Sequence, residues 1–209
     1  MKAFPFAALP LLLAACAQGV DVSSRVAAAP ASAWRDVATV DDRDRLHGWR
    51  DAWLEALGQA RAAGHAADIA KWGTLAEPDA AIEGGVPPPA GRYRCRTIKL
   101  GARREGLLNY VDYPPFECVI EGEGAALRFV KQSGSQRPVG VLYPDSERRM
   151  IFLGTLALGD ERRALRYGTD RERDMIGILE QVDAARWRLV LPYPHFESTL
   201  DILELVPRE

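Results

Sequence analysis

The chain is 209 residues long, 47% hydrophobic and 27% charged, with a formal net charge of −2 and a pI near 6.0. That composition is ordinary for one globular domain with room for a small helical appendage. No surplus of basic residues is present to neutralise a phosphate backbone, so nucleic acid is not an expected partner.

Lys2 opens the chain's first segment, followed by an apolar run from Ala3 to Ala15 that Pro5 and Pro10 interrupt. A helix needs about 20 apolar residues to cross a bilayer core, and this run is too short. Its prolines also make it a poor core helix. A positive start, a short apolar stretch and small residues at its end are the layout of an export signal. The last four residues, Leu13-Ala14-Ala15-Cys16, resemble the bacterial lipobox. The resemblance implies cleavage after residue 15 and acylation of Cys16. Ala17 follows rather than aspartate, which implies the periplasmic face of the outer membrane; a soluble periplasmic protein is the alternative. Three acyl chains exceed the requirement for stable membrane anchoring, at about 0.8 kcal/mol per buried methylene. Residues 16–33 are small and polar without period and read as a flexible tether, with a strand at Val20 to Val26 as the alternative.

Residues 34–83 read as a helical segment. Thr39 is placed as an N-cap with Asp41 and Asp42 in the first turn, where acidic side chains complement the helix dipole. Leu46, Trp49, Trp53, Leu57 and Ala60 then recur at three- and four-residue spacing, which predicts one amphipathic helix ending at Gly64. A shorter helical piece is expected over Ala66 to Trp72. The tryptophans on this stripe read as core anchors rather than a ligand platform.

Gly84 to Gly91, GGVPPPAG, is a stiff linker. Beyond it, over residues 92–207, the hydrophobic period changes from 3.6 to 2. Nine short strands are predicted, at Tyr93–Leu100, Leu107–Val111, Phe116–Glu121, Leu127–Gln132, Val139–Tyr143, Met150–Leu156, Met175–Val182, Trp187–Leu191 and Leu200–Val206. Alternation is clearest where Trp187, Leu189 and Leu191 share one face and Arg186 and Arg188 the other. The connections are too short for crossover helices, so the sheet is antiparallel. The expected fold is mainly β: an N-terminal amphipathic helix packed on a lipocalin-like antiparallel barrel of about eight strands, with a β-sandwich as the alternative. The stretches 146–154 and 160–168 share Glu-Arg-Arg, an apolar residue and a closing glycine, and read as two charged turns feeding two strands.

With the signal removed, Cys95 and Cys118 remain. An even pair in an exported chain reads first as a disulfide. A metal site is a weak rival, because neither cysteine belongs to a CxxC pair and the three histidines are scattered. No cofactor is expected. Asp170, Glu172 and Asp174 alternate with Arg171 and Arg173, which reads as a compensated loop rather than a catalytic carboxylate cluster. His195 and Ser198 lie close together without a GxSxG elbow, which leaves a serine hydrolase weakly supported. Any ligand or partner site is placed at the barrel mouth, where Arg137 of the 134–137 loop would meet Asp170, Arg171, Arg173 and Asp174.

Several short pieces occur in order: Gly91-Arg-Tyr-Arg-Cys95 with Lys99-Leu-Gly101, Phe116-Glu-Cys118, Gly134-Ser-Gln-Arg137, Leu142-Tyr-Pro-Asp145, Tyr167-Gly168 and Arg186-Trp-Arg-Leu189. With the lipobox and the tryptophan-bearing helix they resemble a bacterial family, domain of unknown function 4893, over roughly residues 35 to 207. That resemblance implies no activity, substrate or catalytic residue. A more distant likeness is to small envelope barrels that inhibit metalloproteases, from which the long N-terminal helix departs. The expected function is a lipid-anchored binding or interaction module that meets the membrane through its acyl chains and takes an envelope protein or small ligand. A hydrolase and an envelope protease inhibitor are the alternatives.

Overall fold

The computed structural model describes Met1 and residues 33–208, so the expected signal, the Cys16 anchor and most of the tether lie outside the described residues. Four helices come first: α1 (Ala33–Val37), α2 (Val40–His47), α3 (Trp49–Ala62) and α4 (Ala66–Ala70). Nine strands follow: β1 (Gly91–Ala102), β2 (Tyr110–Asp112), β3 (Phe116–Glu121), β4 (Leu127–Lys131), β5 (Gln136–Pro144), β6 (Arg149–Leu158), β7 (Asp174–Asp183), β8 (Arg186–Pro192) and β9 (Ser198–Pro207).

From β3 onward each strand pairs antiparallel with its successor, and β9 returns to pair with β1 from Tyr93↔Pro207 to Ala102↔Ser198. Both β2 and β3 lie on the other edge of β1, against Ile98–Leu100 and Gly91–Cys95 respectively. They act as one broken strand, and the result is a closed eight-strand antiparallel barrel with short helices packed on it. The sandwich alternative falls away. Closure leaves no long edge open to pairing with another chain.

Period-2 alternation sorts the side chains. Tyr93, Phe129, Leu142, Phe152, Leu179 and Leu189 point inward into one cluster, so the barrel is filled rather than hollow. Gly140 and Gly154 face each other in register on β5 and β6. A methyl at either position would collide with the opposite backbone and with the Phe152 ring, so these glycines let the two strands close around that ring. The Cys95–Cys118 disulfide, with Cα atoms 5.8 Å apart, ties β1 to β3 inside the same cluster.

The helices cover two outer faces. Trp53, Ala56, Leu57 and Ala60 of α3 lie on Ile98 and Leu200 of the β1–β9 face. Trp34 of α1 and Leu46 of α2 lie on Ile151 and Ile178 of β6 and β7. Covered strands are therefore apolar on both faces. Arg188 faces outward from β8 yet has no exposed surface. Its guanidinium binds Glu180 at 2.7 Å, donates to the carbonyls of Thr74, Leu75, Glu77 and Pro78, and lies over the Trp53 ring. It pins the segment after α4 to the wall.

Three expectations change. The single helix divides at Gly48, a poor helix former, where the Tyr193 ring packs 3.3 Å from a notional Cβ. Thr39 still caps the first half, accepting from the Asp42 backbone N–H at 3.2 Å. Residues 160–168 form a loop, not a strand: the Tyr167 hydroxyl is drawn out to Asp42 and the Thr39 backbone N–H, and Gly168 N–H bonds Asp174. The 84–91 linker folds against the barrel's end. Trp187 Nε1 donates to the Gly85 carbonyl at 2.9 Å, the Tyr93 hydroxyl donates to the Pro89 carbonyl at 2.5 Å, and Val86 packs on the core.

Candidate functional site

The inward alternation that builds the core ends in polar residues on several strands at once. On β1 it runs Tyr93, Cys95, Thr97, Lys99; on β4 it runs Leu127, Phe129, Lys131; on β9 it runs back through Leu205 and Leu203 to Asp201. Gln136 occupies the same level at the start of β5. These positions form the end of the barrel opposite the linker plug.

Lys99 and Asp201 are direct partners in the β1–β9 register, and Lys99 Nζ lies 3.1 Å from the Asp201 carboxylate and 3.3 Å from that of Glu197. Burial works against the Lys99 ammonium, but attraction to both carboxylates outweighs it and lifts the pKa above the usual lysine value. Lys131 is equally enclosed, at 4% exposure, and its surroundings differ. Its Nζ donates to the Ser133 and Gln136 carbonyls, each at 2.9 Å, and lies 3.6 Å from the centre of the Phe116 ring. Among the described residues no carboxylate forms an ion pair with it. Burial, with the positive charges of Arg137 and Lys99, pushes its pKa down to about 8.

Two adjoining clefts share Thr97, Lys99, Lys131 and Gln136. One, of about 30 Å³, reaches toward Asp174 and His195; the other, of about 110 Å³, opens past Phe116 and Glu197. A cavity of about 10–15 Å³ holds one water. The mouth therefore takes a few waters or a small molecule, and is far below the size of a lipid-like ligand.

The loop joining β8 to β9 forms one lip. Two of its non-glycine residues, Tyr193 (φ 45°) and Glu197 (φ 66°), adopt left-handed backbone, a conformation costing about 1–3 kcal/mol that tends to persist where surrounding contacts enforce it. Here Arg103 donates to the Tyr193 and Pro194 carbonyls, and Tyr193 N–H bonds the Thr199 carbonyl. The enforced turn delivers Glu197 to Lys99.

Of the site residues expected from sequence, Arg137 and Arg173 converge on Glu161. Arg137 donates to the Glu161 carbonyl at 2.8 Å and to the Gly134 and Gly159 carbonyls, while Arg173 pairs with the Glu161 carboxylate at 2.6 Å. Asp170 ends the same loop, receiving the Glu172 backbone N–H at 3.0 Å and Arg173 at 3.7 Å. Arg171 turns away to pair with Asp41. Asp174 and Arg173 do line the smaller cleft. Burial raises the Asp174 pKa, and its carboxylate accepts the Gly168 N–H. Ser198 donates to Asp201, and no bond joins it to His195 among the described residues. His195 Nε2 is buried without a partner, and burial lowers the ring's pKa.

Gln136 belongs to the 134–137 loop expected at the mouth, whereas Lys99, Lys131, Glu197 and Asp201 did not emerge from the sequence as site residues. One signal pointed to two of them: four lysines stand among 27 basic residues, and two of those four continue the inward parity of Cys95 and Phe129. No group of three or more potential metal ligands occurs among the described residues.

No curated protein and no solved structure matches the chain. A family match covers residues 34–205, which takes in nearly all of the described helices and of the barrel. The chain belongs to the family described as Domain of unknown function (DUF4893).

Proposed function

We propose that this protein is a lipid-anchored, periplasm-facing binding module of the bacterial outer membrane whose barrel mouth takes a small carboxylate. The anchor rests on Leu13-Ala14-Ala15-Cys16. The ligand reading rests on one observation: Lys131 is a buried ammonium in a cleft with carbonyl and ring neighbours but, among the described residues, no carboxylate ion-pair partner. An isolated buried charge is costly, and an anionic group entering the cleft would offset that cost. Lys99, already matched by Asp201 and Glu197, supplies a second wall without competing for the ligand. The hydrolase alternative is not taken up, since Ser198 is committed to Asp201.

Acetate and pyruvate are suitable probes, followed by the Lys131 Nζ and neighbouring amide resonances. Both should perturb the mouth selectively and raise Tm, with binding weakening as pH climbs through about 8 and the ammonium is lost. Lys131→Met should abolish the response. Shifts spread over surface arginines, with none at the mouth, would overturn the ligand reading. For the anchor, wild type should incorporate labelled palmitate and Cys16→Ser should not; equal labelling would remove it.

A further inference from the structure

We infer that Lys131 is a nucleophilic amine that captures a small 2-oxo acid reversibly and covalently, through an imine at its Nζ. The inference rests on the carboxylate-binding reading of the mouth and adds to it the chemistry of the ligand's neighbouring carbonyl.

Two lysines share one cleft and are treated oppositely. Lys99 is held as an ammonium by two carboxylates. Lys131 is fixed by two backbone carbonyls and the face of Phe116, which position the nitrogen without bringing a full negative charge to it. The charged groups around it are Lys99 on β1, Arg137 on β5, Asp201 on β9 and Glu197 on the β8–β9 loop, with Glu172, Arg173, Asp174 and His195 also lining the smaller cleft. Burial and the positive charges of Arg137 and Lys99 outweigh the attraction of Asp201 at Lys131, and the Asp201 and Glu197 carboxylates are paired with Lys99 instead. A desolvated lysine beside another cation is the setting in which an amine becomes available for carbonyl chemistry. With a pKa of about 8, roughly a tenth of the side chain is free amine near neutral pH, against fewer than about one in a thousand for an ordinary lysine.

Composition adds an independent argument. The chain uses arginine for nearly every positive charge; besides Lys2, only Lys71, Lys99 and Lys131 are lysines. A guanidinium does not deprotonate in proteins, whereas a buried ammonium does. In lysine the cleft thus carries the cationic side chain that can lose its proton and act as an amine nucleophile.

The step is balanced without an oxidant or reductant. The Nζ lone pair forms a bond to the carbonyl carbon, and the C=O π pair moves to oxygen, which takes a proton. Nitrogen gives up one proton to solvent, giving a carbinolamine. Its hydroxyl then takes a proton from solvent and leaves as water as the nitrogen lone pair forms the C=N bond, which gives a protonated imine. Water entering the mouth reverses the sequence. The cleft of about 110 Å³ suits the size of pyruvate.

The full-length chain is incubated with pyruvate and cyanoborohydride near neutral pH, and reduced adducts are mapped by peptide mass spectrometry. Lys71, exposed and paired with Asp68, serves as the internal control. Adduct on Lys131 should exceed that on Lys71 by at least about tenfold, and acetate should compete with it. Lys131→Arg should keep acetate binding and lose the Lys131 adduct; if that variant does not fold, the wild-type map decides alone. Labelling that follows exposure, with Lys71 foremost, overturns the inference. No adduct on Lys131 while pyruvate still perturbs its resonances removes the covalent step and leaves the binding reading standing. Neither adduct nor perturbation removes both.

Discussion

Arg188 and Lys131 are both buried cations, and they illustrate opposite solutions to the same cost. Arg188 meets a carboxylate and four backbone carbonyls, so its charge is matched on every side. Removing one partner of such a buried pair typically costs 3–5 kcal/mol, because the other is left uncompensated. Arg188→Met should therefore lower stability by about 3–5 kcal/mol in urea unfolding, and Glu180→Gln should cost less, since the amide still accepts. Lys131 lacks that compensation, and the consequence is a pH dependence. Its folded pKa of about 8 lies below the usual 10.5. Below about pH 8 both folded and unfolded chains carry the proton and the full burial cost is present. From there upward the folded chain releases its proton first, so stability rises with pH. Lys99 and Tyr93 are shifted the other way and act only at higher pH, Tyr93 being pushed up to about 12. Thermal melts should thus show Tm rising from about pH 8 to about pH 10 against the general trend, and Lys131→Met should flatten that rise.

At the scale of elements, the strands were legible because alternation in a barrel is nearly a direct record of which way each side chain points. Trp187, Leu189 and Leu191 were read as one face and all three enter the core. The helix break at Gly48 was not legible, since the Tyr193 ring that presses on it arrives from the far end of the chain. The 160–168 loop misled for a related reason: it echoes 146–154, which does feed a strand, but Tyr167 is engaged by Asp42, 125 residues away. The charge-dense 170–174 stretch attracted notice because its charges adjoin in sequence. The mouth was expected, but the Lys99–Asp201 pair within it was not legible, because the two meet only across 102 residues of chain. The disulfide belongs to this scale as well. It joins β1 to β3 over a separation of 23 residues, and loop entropy assigns such a closure about 3 kcal/mol. A Cys95→Ser, Cys118→Ser double variant should lose about that much in denaturant unfolding, and the Lys131 labelling should survive in whatever fraction remains folded.

Across the whole molecule the two ends of the barrel are unlike. Helices cover the β1–β9 and β6–β7 faces, the linker seals one end with Val86 packed on the core and with its carbonyls bonded by Tyr93 and Trp187, and charged groups gather at the other. That asymmetry makes the barrel a cul-de-sac rather than a conduit. A guest admitted between Lys99 and Lys131 has no second exit through the packed interior, so arrival and departure share one doorway. The strained turn from Tyr193 to Glu197 is one lip of that doorway, so on the proposed reading a guest's residence time would depend on that turn as much as on the lysines behind it.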